Sequence, residues 1–224
     1  MKKKRNKGDA ILRNQRARLN TEERKVQILK IATDVFYRDG YEKASLQEIA
    51  QRAGITKAAI YYHFKNKEEI LFDLVATLSD RLVADLKGIN RGENDPVDQL
   101  REMLTQHISY MKQGKANVKI LVEDKRFLGK RYAGIIREKQ KEIFEIYRSK
   151  LEEIANQGRL KDINIITANF SLFGIMNWLY HWYDSEGELS IEKITESIIR
   201  MVFYGLIKEE KTAAAGNKYG RKKG

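Results

Sequence analysis

With 224 residues the chain is long enough to bury a sizeable core, and with no cysteine it has neither a disulfide framework nor thiolate chemistry. Its formal charge of +12 lies at the ends: residues 1–20 hold eight Lys/Arg against one Asp, residues 211–224 hold five Lys/Arg and no acid, and 21–210 is net neutral. In chain order, the first segment, 1–20, reads as a disordered basic arm, either solubilising or binding phosphates without sequence preference. No apolar run follows MKKKRNKGDA, so it is not read as a secretory signal, which suits a cytoplasmic protein.

Ile28, Leu29, Ile31, Ala32, Val35 and Phe36 recur at three- and four-residue spacing, which predicts an amphipathic helix over 21–39 ended by Gly40. Ser45-Leu-Gln-Glu48 has the form of a capping box for a short second helix that turns Leu46, Ile49, Ala50 and Ala53 inward. Gly54 reads as a turn, Thr56 as the cap of a third helix, Asn66 as the cap of a longer one from Lys67, and Asp95-Pro96 as another start. Further helices are expected over about 97–112, 116–124, 131–156 (closed by Gly158), 163–183 and 191–207. No period-two pattern competes, so the chain reads as all-α with about nine helices. The stretch Ile163 to Tyr183 has no Asp, Glu, Lys or Arg, but it carries Asn164, Asn169, Asn177 and His181. It reads as a buried helix rather than a membrane span. Residues 208–224 read as a second disordered basic tail.

The third helix carries the functional signal. At 100° per residue from Lys57, the residues Lys57, Ala58, Tyr61 and Tyr62 fall within 140° of one another, with Ala59 and Ile60 on the other side. Two short helices joined by a turn, the second presenting such a face, form a helix-turn-helix whose second helix enters the major groove. Lys57 suits a guanine edge or a phosphate, Ala58 permits close approach, and tyrosine hydroxyls bond phosphate oxygens. Ser45, Thr56 and Lys67 stand at helix N-termini, which favour phosphate. Residues 21–67 hold nine Lys/Arg against six Asp/Glu, a basic head on a body that is otherwise acidic. The competing reading of Tyr61, Tyr62 and His63 is that they merely cover a helix junction.

The segment ILKIATDVFYRDGYEKASLQEIAQRAGITKAAIYYHFKNKEEILFDLV resembles the DNA-binding domain of the TetR/AcrR family of bacterial regulators. The resemblance is carried by Ala32 and Phe36, Gly40-Tyr41, Ile49-Ala50 with Ala53-Gly54-Ile55, and Tyr61 to Glu69. It implies a DNA-binding domain over 21–70 and a ligand-binding and dimerisation domain over 71–207. It also implies a homodimer on a partly palindromic operator, usually a repressor released by a small molecule. Thr56, Lys57, Ala58, Tyr61, Tyr62, His63 and Lys67 carry over by position as DNA contacts.

Further along, Phe170, Phe173, Trp178, Tyr180, Trp182 and Tyr183 crowd one helix, either as core or as the wall of an apolar pocket in which Asn177 and His181 orient the ligand. The pattern Asn177-Trp178 with Trp182-Tyr183 is similar to that of TetR-family repressors of fatty-acid and sterol degradation, which implies an acyl-CoA effector. Arg126, with Lys125, Lys130, Arg131 and Arg137, would then meet the CoA phosphates; the other reading is a solvated charged face. Dimerisation is expected through the last two helices, with Ile191, Ile194, Ile198, Met201 and Val202 on the interface. Three histidines, with no Gly-rich phosphate loop and no His-Glu motif, argue against an enzyme, a metal site or a cofactor. Two other functions stay open: an efflux regulator answering a different hydrophobic compound, and a nonspecific nucleoid-type DNA binder driven by the tails.

Overall fold

The computed structural model describes residues 7–208, with side chains from Thr21 onward except that of Gln113. Among these residues the helices are α1 (Lys7–Asp39), α2 (Leu46–Arg52), α3 (Lys57–His63), α4 (Lys67–Asn90), α5 (Pro96–Ser109), α6 (Lys115–Val122), α7 (Lys130–Asn156), α8 (Ile165–Trp182) and α9 (Ile191–Leu206). Two 3-10 turns, Tyr110–Gln113 and Asp124–Phe127, flank α6, and the only strand-like pairing among the described residues is the bridge between Leu160 and Ile207.

The start signals read at Ser45, Thr56, Asn66 and Asp95 each have their hydrogen bond, and Asn164 and Ser190 add two caps the sequence reading did not name. The side-chain oxygens of Ser45, Thr56, Asn66, Asp95, Asn164 and Ser190 accept from backbone N–H groups of the first turns of α2, α3, α4, α5, α8 and α9. Gly40, Gly54 and Gly158 take positive φ at the stops. The expectation for the N-terminus is corrected: α1 begins at Lys7, so 7–20 continues the helix instead of forming a disordered arm. Apart from Gly8 that stretch is made of residues that tolerate helix, including Ala10, Leu12, Gln15, Ala17 and Leu19, and its charge concealed this propensity. The expectations for residues 1–6 and for the tail from 209 onward lie outside the described residues.

Two cores result. In the first, α1, α2, α3 and the start of α4 bury Ile28, Phe36, Ile49, Ile60, Phe64 and Ile70. In the second, the rest of α4 packs with α5, α7, α8 and α9 around Leu86, Leu100, Met103, Tyr147, Leu151 and Leu179. The cores are not separate bodies. Helix α4 contributes to both, and Ile120 of α6, Leu128 and Ile136 of α7 are buried in the first. The join is also polar and aromatic: Phe127 stacks on Tyr41 at 5.1 Å between centroids, and the Gly129 N–H donates to Glu68 Oε1 at 2.8 Å.

Candidate nucleic-acid interface and ligand cavity

Ile60, fully buried, anchors α3 against α2 and α1, and this fixes which way the helix faces. Thr56, Lys57 and Ala58 are exposed, with Tyr61 50% and Tyr62 77% exposed on the same outer surface. The turn before α3 is hydrogen-bonded: Gly54 takes φ +64, its N–H donates to Gln51 O, and the Ile55 N–H donates to Ala50 O at 3.0 Å. The Thr56 hydroxyl oxygen accepts from the Ala59 N–H at 3.1 Å, and that of Ser45 accepts from the Glu48 N–H, also at 3.1 Å. Arg38 ties α1 to α2 through Glu48 at 2.8 Å. Lys57 stands over the Tyr61 ring. Such a surface offers one ammonium, two phenol hydroxyls and a small flat patch at Ala58, a set suited to a groove wall and its phosphates.

His63 and Lys67 differ from this group. His63 is partly buried, with its ring edge-to-face on Tyr62 at 5.1 Å; burial first, and then the nearby Arg24 and Lys25, lower its pKa. Near neutral pH it is an uncharged junction residue with one polar edge left to offer. For Lys67 the expected phosphate contact is corrected. Its ammonium donates to three carbonyl oxygens, of Tyr41 at 2.6 Å, Glu42 at 3.0 Å and Ala44 at 2.9 Å, and lies over the Tyr41 ring. An ammonium has three hydrogens, and all are used in clasping the α1–α2 turn.

A cavity of about 290 Å3 lies among α4, α5, α6, α7 and α8. Of the residues expected to bind a ligand, Phe170, Phe173 and Asn177 line it. Trp178, His181 and Trp182 do not, which corrects their assignment. The two tryptophans are 61% and 53% exposed, and His181 stacks between Trp178 and Tyr180, its ring 4.0 Å from Glu123. For the tryptophans the reason is angular: at 100° per residue 170, 173 and 177 fall within about 60° of one another around α8, while 178 and 182 lie roughly 80° to 180° away from them. Arg126 is likewise corrected, being exposed and lying over Phe127 away from the cavity wall, whereas its neighbour Lys125 lines it.

The wall includes His107, Gln140 and Phe144, which the sequence reading missed. A signal existed for His107, a lone imidazole in the apolar three-and-four series Leu100, Met103, Leu104, Ile108 and Met111. Tyr147, fully buried, donates its hydroxyl hydrogen to Met103 O, so His107 Nδ1 at 3.3 Å is the donor to the tyrosine oxygen. Burial pulls His107 down to about 4, so the ring is neutral. Phe144 packs on Phe170 and Phe173, with centroids 4.9 and 5.9 Å away.

Beside the cavity an apolar surface is left open to solvent. Ile166, Phe170, Trp178 and Trp182 of α8 and Met201 and Tyr204 of α9 are all exposed. Here too an expectation is corrected. Ile191, Ile194, Ile198 and Val202 are buried in the chain's own second core, and of the five α9 residues assigned to a subunit interface only Met201 points outward.

Residues 28–74 match the model of bacterial regulatory proteins of the tetR family, and residues 93–206 match that of the tetracyclin repressor-like C-terminal domain. The probable acrEF/envCD operon repressor of Escherichia coli K12 is 28% identical over 192 residues, covering 78% of this chain and 84% of the relative. A solved TetR/AcrR transcriptional regulator from Thermobifida fusca is similar with a TM-score of 0.67 at 32% identity, covering 82% of this chain and 98% of that one. AibR, solved in complex with isovaleryl coenzyme A and operator DNA, is similar with a TM-score of 0.74 at 26% identity, covering 80% of this chain and 98% of that one.

Proposed function

Since the chain belongs to the tetR family of bacterial regulatory proteins, we propose that it is a homodimeric transcriptional repressor released from a partly palindromic operator by a small, largely apolar ligand. The observation that carries this reading is the outer face of α3, where Thr56, Lys57, Ala58, Tyr61 and Tyr62 are exposed around a helix that Ile60 pins to its neighbours. Monomers pair through the exposed apolar surface of α8 and α9, which sets two copies of α3 one helical turn of DNA apart, about 34 Å. Several large apolar side chains left exposed on these two helices support an association site there.

The ligand enters the cavity among α4–α8. Leu82 of α4 and Leu121 and Val122 of α6 are on its wall, so a ligand that needs them apart swings α4 and changes the spacing of the recognition helices. Such coupling needs a preference for the released state of about 1–3 kcal/mol or more. An acyl-CoA is the first class to test, supported by the aromatic lining and by the isovaleryl coenzyme A complex of the similar AibR. A second reading, an efflux regulator answering another hydrophobic compound, draws on the likeness to the acrEF/envCD operon repressor. In either case the protein acts in the bacterial cytoplasm at the nucleoid, and catalysis is no part of the proposal.

Fluorescence anisotropy on the DNA upstream of the protein's own gene, at near-physiological salt, tests the proposal. Binding at least about a thousandfold tighter than to random DNA is expected. Equal affinity for both would instead mark a nonspecific, tail-driven binder.

A further inference from the structure

The cavity wall is largely apolar, with a few neutral polar groups and one charged side chain. Lys125, on the 3-10 turn that follows α6, is partly buried on this wall, and no described carboxylate pairs with its ammonium. Its acidic neighbours are placed elsewhere: Glu123 accepts from the Tyr180 hydroxyl at 2.6 Å, and Asp124 is buried in the field of Lys119 and Arg126. Burial pulls the Lys125 ammonium below the usual lysine range, with no nearby carboxylate to offset it. Since His107 is neutral, Lys125 is the one cation on the wall among the described residues. A partly desolvated cation without a counter-ion is unfavourable unless something supplies the negative charge.

The rest of the wall states what else that partner must be. Phe144, Phe170 and Phe173 form a connected aromatic set, while Gln140 and Asn177 provide neutral amides. The volume of about 290 Å3 holds about ten groups the size of a water molecule, which suits a compact molecule.

We propose that the ligand of this cavity is a compact carboxylic acid with a branched or aromatic tail, its carboxylate paired with Lys125 and its tail among Phe144, Phe170 and Phe173. The proposal rests on the reading that this cavity receives the effector. It differs from an acyl-CoA in the chemistry at Lys125. In a thioester the carboxylate charge is gone, the nearest negative groups are distant phosphates, and the ammonium would face a neutral carbonyl.

Isothermal titration of the full chain with phenylacetate, isovalerate, their primary amides and isovaleryl-CoA separates these. At least one acid is expected to bind about tenfold or more tightly than its amide, the range for a hydrogen bond to a charged group. Lys125→Met should lose about tenfold or more in affinity for that acid, Lys125→Arg should keep most of it, and both should bind operator DNA as the parent does. Three results would each overturn the proposal: an amide binding as well as its acid, Lys125→Met binding the acid unchanged, or the thioester binding where neither acid does. Absence of binding by all five compounds at millimolar concentration overturns it as well. Operator anisotropy without ligand is read separately, so failure here leaves the repressor reading to its own test.

Discussion

Lys67 shows how a residue chosen for one task can be occupied by another. Position at a helix N-terminus beside a recognition helix made it a phosphate contact, but only the fold brings the carbonyls of Tyr41, Glu42 and Ala44 within reach of its ammonium. Lys67→Met leaves three carbonyl oxygens without that donor and is expected to lower stability by about 1–3 kcal/mol, measured by thermal unfolding. Tyr61→Ala should do the reverse, leaving unfolding nearly unchanged because the ring is half exposed, and weakening operator affinity about tenfold. His107 gives a pH dependence. Its folded pKa, about 4, lies below the unfolded value of about 6.5, so the unfolded chain takes up the proton first as pH falls. Stability is therefore intact above pH 6.5 and lost between there and about 4, with a ceiling of about 3 kcal/mol, and His107→Gln should flatten that part of the curve. The pairing of His107 with Tyr147 was not legible in the sequence, because 40 residues separate them and only the packing of α5 against α7 joins them.

At the scale of elements, the sequence disclosed what local chemistry decides. Caps at Ser45, Thr56, Asn66 and Asp95, stops at glycine and a three-and-four apolar rhythm located α2 to α5 and α7 to α9 within a few residues. Thr56→Ala should therefore lower stability by about 1 kcal/mol by removing the side-chain acceptor of the Ala59 N–H, and chemical denaturation will show it. The misplaced features have a common origin in properties that are not local. Charge in the first twenty residues outweighed their helical propensity, and α6 ends early because Asp124–Phe127 tightens into a 3-10 turn that carries Phe127 onto Tyr41. Helix α8 is the clearest case. Being apolar on several sides, it has no polar face to say which edge meets the cavity and which meets solvent or a partner. So Phe173 and Asn177 lie on the cavity wall while Trp178, His181 and Trp182, grouped with them in the sequence, lie off it.

For the whole molecule, the exposed tryptophans become an assembly question. Trp178→Glu places a charge in the apolar surface of α8 and should convert a dimer to monomers in sedimentation velocity, with operator affinity falling alongside and the helical content of the monomer unchanged. Dimerisation would also cover Phe170, which is 62% exposed and lines the cavity as well, so the same ring would feel both a partner and a ligand.

The sharing of α4 between two cores bears on how such a chain can be recombined. Exchanging the DNA-reading head for that of a relative looks like a simple splice at the first turn of α4. Yet Ile120, Leu128 and Ile136 come from beyond that point and fill the head's core, and Phe127 and Gly129 meet Tyr41 and Glu68 within it. A graft that moves residues 7–70 alone sets a foreign core against plugs shaped for this one. The unit of inheritance is the head together with the side chains and backbone groups, Ile120, Phe127, Leu128, Gly129 and Ile136 among them, that close it from the far side of the sequence, and a working chimera must carry both.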